Sequence, residues 1–435
     1  MVLSIQAAPS SNLFIFGGFS LVDNHFNYSQ IPSAVGHLSR LTYLNLSSSS
    51  FAGQIPLEIS QLNKLVSLEL SLNPLLKLHK PGLASLVQNL TDLKELCLSY
   101  VNVSSPSNNV DYSANFQQAF LSYQTYRCFV FDRYNQELTG YLPEFHGSRP
   151  LVVLKLAGTS FSGELPNSIS NLNSLNEMDI SEYNFSWSIP SSIGTLSELK
   201  VLILRFNKFH GAIRHLESSF SFPTLRFIDL SHNGFKGELP SNFFRTWRSM
   251  MAVDNNQSYL RASQELVSKF GWLENYNYSI TITNKGVQTI YLKILNVLTV
   301  IALSSNQFRG KISESIGILK GLHVLNLSNN NRVGYIPPSS LGNLTQLELL
   351  DLLKPSSQER YLGPIPRGRQ FDTFPNSSYE VNSGLCGDPL SKKCGELEAS
   401  PLPPPSKFKQ GDEHSWFPVD RSDWLVVCMG YGGGL

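Results

Sequence analysis

The chain has 435 residues, enough for a large core or an extended array. Its 34 Lys and Arg nearly cancel its 33 Asp and Glu, leaving a net charge of +1, so no strong field steers it toward nucleic acid or acidic lipid. A local basic excess between Lys200 and Arg248 reads as a solvated face.

Taken in chain order, residues 1–20 form an irregular start. There is no Lys or Arg before Arg40, and "MVLSIQ" is a poor apolar region, so no convincing signal peptide is present. Either the sequence begins downstream of the true start or the protein is not exported. From residue 21 to 104 a unit repeats, as in "LSRLTYLNLSSSSFAGQIP" from Leu38. It returns over 138–240, in "LNSLNEMDISEYNFSWSIP" and "FPTLRFIDLSHNGFKGELP", and over 295–366, in "LKGLHVLNLSNNNRVGYIP". Well-framed copies start 24 residues apart, and the unit is L-x-x-L-x-x-L-x-L-S-x-N-x-F-x-G-x-I-P.

Each position has a physical task. The x-L-x-L segment has period two and predicts a short strand with leucines inward. The Asn that follows (Asn73, Asn207, Asn233, Asn306, Asn330) sits where the chain turns, and its amide can satisfy backbone groups there. The later Phe (Phe51, Phe161, Phe185, Phe209, Phe235, Phe308) fills the convex side, and Gly and Pro set its backbone angles. One unit cannot bury its own apolar face, but stacked neighbours can. The predicted fold is an α/β-type repeat, a leucine-rich repeat solenoid (a horseshoe or superhelix) with a concave parallel β-sheet.

The frame is interrupted. It is lost over 105–137, as though a repeat were missing or scrambled. Residues 241–294 form an aromatic-rich insert ending in "YSITITNKGVQTIYLKI", which predicts a hairpin around Asn284-Lys285-Gly286. The last repeat is defective, because "LLKPSSQERYLGPIP" places its GPIP four residues late. Trp187 stands where the unit has Gly. Residues 367–395 read as a C-terminal cap, 396–423 as a Pro-rich juxtamembrane spacer, and 424–435 ("WLVVCMGYGGGL") as the start of a truncated transmembrane segment. Twelve residues cover about 18 Å, against about 30 Å of hydrocarbon.

The G-x-I-P extension resembles the plant extracellular subclass of leucine-rich repeats. "KPGLASLVQNLTDLKELCLSYVNVSS", "GYLPEF", "TITNKGV", "FDTFPNSSYEVNSGLCGDPLSKKC" and the ending "MGYGGGL" together resemble plant receptor-like proteins, the kinase-less, membrane-anchored receptors of this repeat class. The resemblance runs from about residue 19 to 435 and is weakest over 105–137. It implies that Cys386 and Cys394 pair as the C-terminal cap, and that 241–294 is the island insert tied to ligand or partner contact. A purely packing role for that insert on the concave sheet is an equal alternative. The N-terminal cysteine cap of the family is absent, so the first strand is an open edge. Cys97 and Cys128 are unassigned.

Ten N-x-S/T sequons (Asn27, Asn45, Asn89, Asn102, Asn184, Asn256, Asn277, Asn326, Asn343 and Asn376) point to a secreted, glycosylated surface. No zinc spacing, phosphate loop, nucleophile elbow or kinase motif set occurs, so no catalysis, metal or cofactor is expected. Binding is expected on the outward positions of the concave strands: Lys155, Asp179, Ile203 and Asp229 in a central row, flanked by Arg205 on one side and Glu177 and Phe227 on the other, with Tyr276 and Tyr278 from the insert. Mixed charge and apolar groups suit a peptide or protein rather than nucleic acid. Glycans on Asn45 and Asn326 would block their parts of the sheet, leaving the stretch from Ser148 to Ser241 free. Gly430 and Gly434 have the spacing of a helix-pairing motif.

These readings predict the ligand-binding ectodomain of a single-pass plasma-membrane receptor-like protein. It would act in defence and signal through a membrane receptor kinase as adaptor or co-receptor. The alternatives are a secreted apoplastic binding protein, such as an inhibitor of microbial wall-degrading enzymes or a soluble decoy, and a degenerate gene product.

Overall fold

The computed structural model describes residues 17–79, 83–103 except 88, 128–131, 139–145 except 143, 151–182, 184–213, 222–239, 243–253, 258–260, 280–284, 287–291, 294–331, 334–335, 337–352, 361–365, 367, 371, 374, 376, 379 and 384–394. All of them belong to one compact unit that ends at Cys394. Twelve short strands, from Gly18–Ser20 to Leu349–Asp351, form its inner parallel sheet in strict chain order. The middle residue of the well-framed strands (Leu44, Leu68, Leu96, Leu154, Met178, Leu202, Ile228, Ile301, Leu325, Leu350) is at most 3% exposed. Burying one such side chain contributes about 1.5–3 kcal/mol, and stacking supplies the second wall that a lone repeat lacks.

The turn after each strand is built from two features of the repeat. The residue before the conserved Asn has positive φ in every well-framed copy: Leu72 58°, Phe206 53°, His232 53°, Ser305 54°, Asn329 50°. That kink aims the Asn inward. Asn207 then donates to the carbonyls of Ile180, Leu204 and Arg205 at 2.9, 3.0 and 3.2 Å, and its Oδ1 accepts from the Phe185 amide at 3.1 Å. Asn73, Asn306 and Asn330 repeat this pattern, so each staples its own turn to the preceding repeat. The phenylalanines stack behind them, Phe185 on Phe209 and Phe209 on Phe235 at 6.2 Å between centroids.

On the convex side the Pro of G-x-I-P precedes a one-turn 3-10 helix. Pro32, Pro56, Pro166 and Pro190 hold φ between −64° and −67° at that position and lead into Ser33–His37, Leu57–Gln61, Asn167–Asn171 and Ser191–Thr195. Proline's ring sets this angle, and a helix entry asks for no N–H from it.

Three expectations of the sequence change here. The frame is not lost throughout 105–137: Cys128–Phe131 occupies an ordinary slot, in register with Glu95–Cys97 on one side and Val153–Leu156 on the other. Its β-branched and aromatic "CFVF" meets the strand requirement. The strand Tyr361–Pro364, which runs into the late GPIP, likewise recovers the outer register, pairing with Gly334–Tyr335 and Leu385–Cys386. The insert also begins later than residue 241. Phe244, Trp247 and Met250 are fully buried in the solenoid core. The Ser249 amide and hydroxyl bond the Pro223 carbonyl, and the Gly321 amide bonds that of Met250, so 243–251 is the convex side of a repeat.

Cys386 and Cys394 are disulfide-bonded across a separation of 8 residues, at the end of the outer strand Leu385–Cys386. A loop of this size predicts a contribution of about 2–3 kcal/mol from chain entropy. Replacing both cysteines by Ser is therefore expected to lower the denaturation midpoint of the C-terminal repeats, read by hydrogen exchange at Leu350 and Leu385. An unchanged midpoint there would show that packing alone closes the end.

Candidate functional site

The inner sheet presents two outward rows, fixed by the strand register. One runs Tyr43, Ser67, Glu95 and, beyond the strand Cys128–Phe131, Val153, Glu177, Val201, Phe227, Val300, Val324. The other runs Asn45, Glu69, Cys97 and, beyond the same strand, Lys155, Asp179, Ile203, Asp229, Ala302, Asn326. The predicted binding residues Lys155, Asp179, Ile203 and Asp229 therefore do share one line, with Glu177 and Phe227 on the next. Arg205 lies two residues beyond Ile203, at the rim. Tyr276 and Tyr278 lie outside the described residues.

Access divides this set. Asp179 is half-buried and reachable and the Lys155 side chain is 12% exposed, whereas Glu177, Ile203, Phe227, Asp229 and Arg205 are all 9% exposed or less. As direct ligand contacts these five are corrected by the structure. The cause over Ile203 and Phe227 is the insert itself. Its antiparallel hairpin, Ile280–Asn284 with Val287–Tyr291, brings Ile280 and Ile282 onto Val201, Ile203, Phe227, Val300 and Val324, with Leu260 and Ile294 completing the cluster. Arg205 pins it: its Nη1 donates to the Thr281 carbonyl at 3.1 Å, while its Nη2 stands 3.5 Å from Glu182. Among the described residues, the insert packs on the sheet through the aliphatic Leu260, Ile280, Ile282 and Ile294. The alternation Ile280, Ile282 in "ITIT" was the available signal.

Glu177 is lost for a different reason. It is fully buried and ion-paired with Lys155 at 2.6 Å, so the pair presents little net charge. A ligand reading this row meets the Lys155 stem and Asp179, whose Oδ1 already accepts from the Ser181 amide at 3.0 Å.

The same turn bears on the glycan argument. Asn326 Oδ1 accepts from the Ser328 amide and hydroxyl at 3.0 and 2.7 Å, and the residue is 3% exposed. Asn45 does the same with Ser47 at 2.9 and 2.6 Å and is half-buried. Asp229 repeats it with Ser231 at 2.9 and 2.5 Å. An Asn or Asp followed two residues later by Ser makes an Asx-type turn, so N-L-S here meets the sequon pattern for a structural reason. Asn27, Asn89, Asn102, Asn184, Asn343 and Asn376 are exposed; Asn256 and Asn277 lie outside the described residues. Glycopeptide mapping of the chain from a secretory plant host is expected to find Asn326 unmodified. A glycan on it would overturn this assignment.

Burial sets the electrostatics of the sheet. Desolvation raises the Asp229 carboxyl above its ordinary value, against the pull of Arg205 and its bonds from Ser231. Burial raises Glu69 in the same way, against hydrogen bonds with Ser71 and Cys97. Tyr43 is raised by burial, with the charges of Glu69 and Glu95 adding to it. For a carboxyl raised in the folded state, that state binds more protons than the unfolded one. Its contribution is then present below the unfolded value and is lost as pH rises through the folded value. Asp229→Asn keeps the acceptor for Ser231 and removes the buried charge. It is expected to leave stability at neutral pH equal or higher, and to flatten the decline in melting temperature as pH rises above about 4. A destabilised variant with an unchanged pH profile would show that the Arg205 pairing outweighs burial.

Parallel strands stacked in register, an inward Asn ladder and a disulfide cap define a leucine-rich repeat solenoid. The Leucine Rich Repeat family model matches residues 40–62, 224–245 and 321–344. Receptor-like protein 54 of Arabidopsis thaliana is 30% identical over 469 residues, covering 94% of this chain and 57% of that protein. Receptor-like protein 34 of the same plant is 30% identical over 322 residues, covering 68% of this chain and 32% of that protein. These matches place the chain among the leucine-rich repeat receptor-like proteins of plants. It spans about a third to just over half of the length of these relatives. The PEPR1–AtPEP1 crystal structure shares the fold, at a TM-score of 0.56 and 21% identity, covering 87% of this chain and 45% of that one.

Proposed function

We propose that the chain is the ligand-recognising extracellular part of a plant cell-surface receptor-like protein that acts in defence through a partner receptor kinase. The observation that carries this reading is the similarity to receptor-like proteins across 94% of the chain. The inner sheet supports it. Its reachable strands before the hairpin offer Asn45, Glu69, the Lys155 stem and Asp179 on one line that a single extended peptide can follow. Backbone-fixed, partly desolvated polar groups favour an orientation-specific peptide or protein contact over a nonspecific one. The given sequence holds no kinase motif set, and in this reading the signal passes through the partner receptor kinase. Anchoring would come from the segment that begins at Trp424, which lies outside the described residues, as do Gly430 and Gly434. Among the described residues no helix is long and apolar enough to cross a membrane.

The test is expression of the tagged chain in leaf cells, followed by challenge with a peptide pool from infected apoplast. The expected result is an oxidative burst that depends on the chain, is lost in K155E/D179K, and is accompanied by labelling of a neighbouring receptor kinase. A burst unaffected by the double variant would move recognition off this sheet. A chain recovered only from apoplastic fluid, with no kinase beside it, would favour the secreted binding protein.

A further inference from the structure

On the outer side of the solenoid, each strand of the second sheet carries the F-x-G of the repeat. Gly163, Gly211, Gly237 and Gly310 sit there with φ between 76° and 91°. In the strand Asn184–Trp187 that place is taken by Trp187, at φ 76° and 56% exposed. A bulky residue in this region of backbone space is strained, and an observed outlier of this kind is grounds for asking what it does. Neither the concave sheet nor the core uses it.

Its surroundings are specific. A Cβ placed on Gly211 points at Ser188, and one on Gly237 at Ala212, in each case the residue after the Gly position one repeat earlier. By the same vector Trp187 heads toward Glu164, which is exposed. One repeat further back, Tyr141 lies across Gly163 so closely that a Cβ there would collide with its ring, and Tyr141 is 64% exposed. Ser162 and Ser186, both small and half-buried, lie between, so the ground is low. At the near end stands Asn184, exposed, paired with Ser162, and the first residue of the sequon Asn184-Phe185-Ser186. Trp187 is three residue steps along the strand from it, about 10 Å, a span that the first two sugars of an N-linked glycan can cross.

We infer that Asn184 is glycosylated and that its proximal N-acetylglucosamine residues lie along this shelf, stacked on Trp187 and Tyr141. Pyranose rings present flat C–H faces to aromatic rings and hydroxyls to carboxylates, and Glu164 supplies the latter. The contact offsets the backbone strain at Trp187 and fixes the glycan on the outer sheet, away from the inner one. This inference rests on the extracellular reading above.

The test uses the full chain from a secretory plant host, in four forms: wild type, Asn184→Gln, Trp187→Gly and the double variant. Trp187→Gly restores the ordinary residue of the repeat, so it folds. Glycopeptide mapping is expected to find Asn184 occupied. Asn184→Gln is expected to raise acrylamide quenching of the exposed tryptophan component about twofold in wild type and to leave it unchanged in the Trp187→Gly background. Trp187→Gly is expected to lower the melting temperature of the glycosylated chain and to raise it in the Asn184→Gln chain, where only relief of strain remains. Equal shifts in both backgrounds, or an empty Asn184 beside occupied Asn27 and Asn102, would overturn the inference alone. A chain with every sequon empty would instead overturn the extracellular reading. Quenching protection of Trp187 by added chitohexaose, with no effect of Asn184→Gln, would assign the shelf to an outside sugar and overturn it too.

Discussion

Asn207→Ala is expected to cost about 3 kcal/mol of stability, one of the two largest effects expected of a single substitution in this chain. The side chain is 8% exposed and makes four hydrogen bonds, three as donor to backbone carbonyls and one as acceptor from the Phe185 amide. Alanine removes the side-chain acceptor of the Phe185 amide and strips the turn carbonyls of a shared donor. A buried group left unsatisfied costs about 1–3 kcal/mol, and the methyl group recovers little. Asp keeps the acceptor but sets a carboxylate oxygen against three carbonyl oxygens, so Asn207→Asp is expected to be worse than alanine. Asn343→Ala, at an exposed position, is the control and should stay within about 0.5 kcal/mol of wild type. Urea unfolding followed by circular dichroism separates these outcomes. If Asn207 and Asn343 behaved alike, the ladder would be a by-product of the turn rather than its cause. The bonds to Ile180 and Phe185 reach into the preceding repeat, so the loss is expected to weaken the interface between repeats as well as one turn.

How much of this was legible depended on how local the cause was. The inward leucines, the Asn turn, the Phe stack and the Pro entry are each set by a few residues, and the repeat displays them many times. The outward rows followed from the strand period alone. What the repeat could not display was anything between distant segments. Ile203 and Phe227 have outward register positions, so period two marks them as surface. They are buried because a hairpin that starts at Ile280, far later in the chain, folds back over them. Asn326 reads as a sequon because three letters match, while its acceptor bonds from Ser328 are a matter of turn geometry. The frame at Cys128 looked broken because 33 residues separate the starts of Glu95–Cys97 and Cys128–Phe131, against the usual 24, and only pairing across the sheet shows that the slot is filled.

Ile280→Ala is expected to release the hairpin without unfolding the solenoid. Ile280 is 2% exposed and packs in a cluster separate from the main core, together with Val201, Ile203, Phe227 and Val300. Truncating a buried isoleucine costs about 2–5 kcal/mol, and every 1.4 kcal/mol is a factor of about ten in an equilibrium. Amide exchange along Ile280–Asn284 and Val287–Tyr291 should therefore quicken roughly 30-fold or more. Exchange at Leu202 and Ile228 should change little, because their side chains face the main core. Arg205→Ala removes the bond to the Thr281 carbonyl and should act in the same direction with a smaller effect. The two variants bear on access as well as stability. With the hairpin undocked, Val201, Ile203 and Phe227 become an apolar extension of the row that begins at Lys155 and Asp179. A ligand that recognises the open sheet would bind both variants more tightly than wild type, because wild type must first spend the docking energy. A ligand that reads the docked hairpin would bind them more weakly. If instead the inner strands lost protection in step with the hairpin, the two clusters would be one cooperative unit, and the hairpin would be part of the scaffold rather than a cover on it.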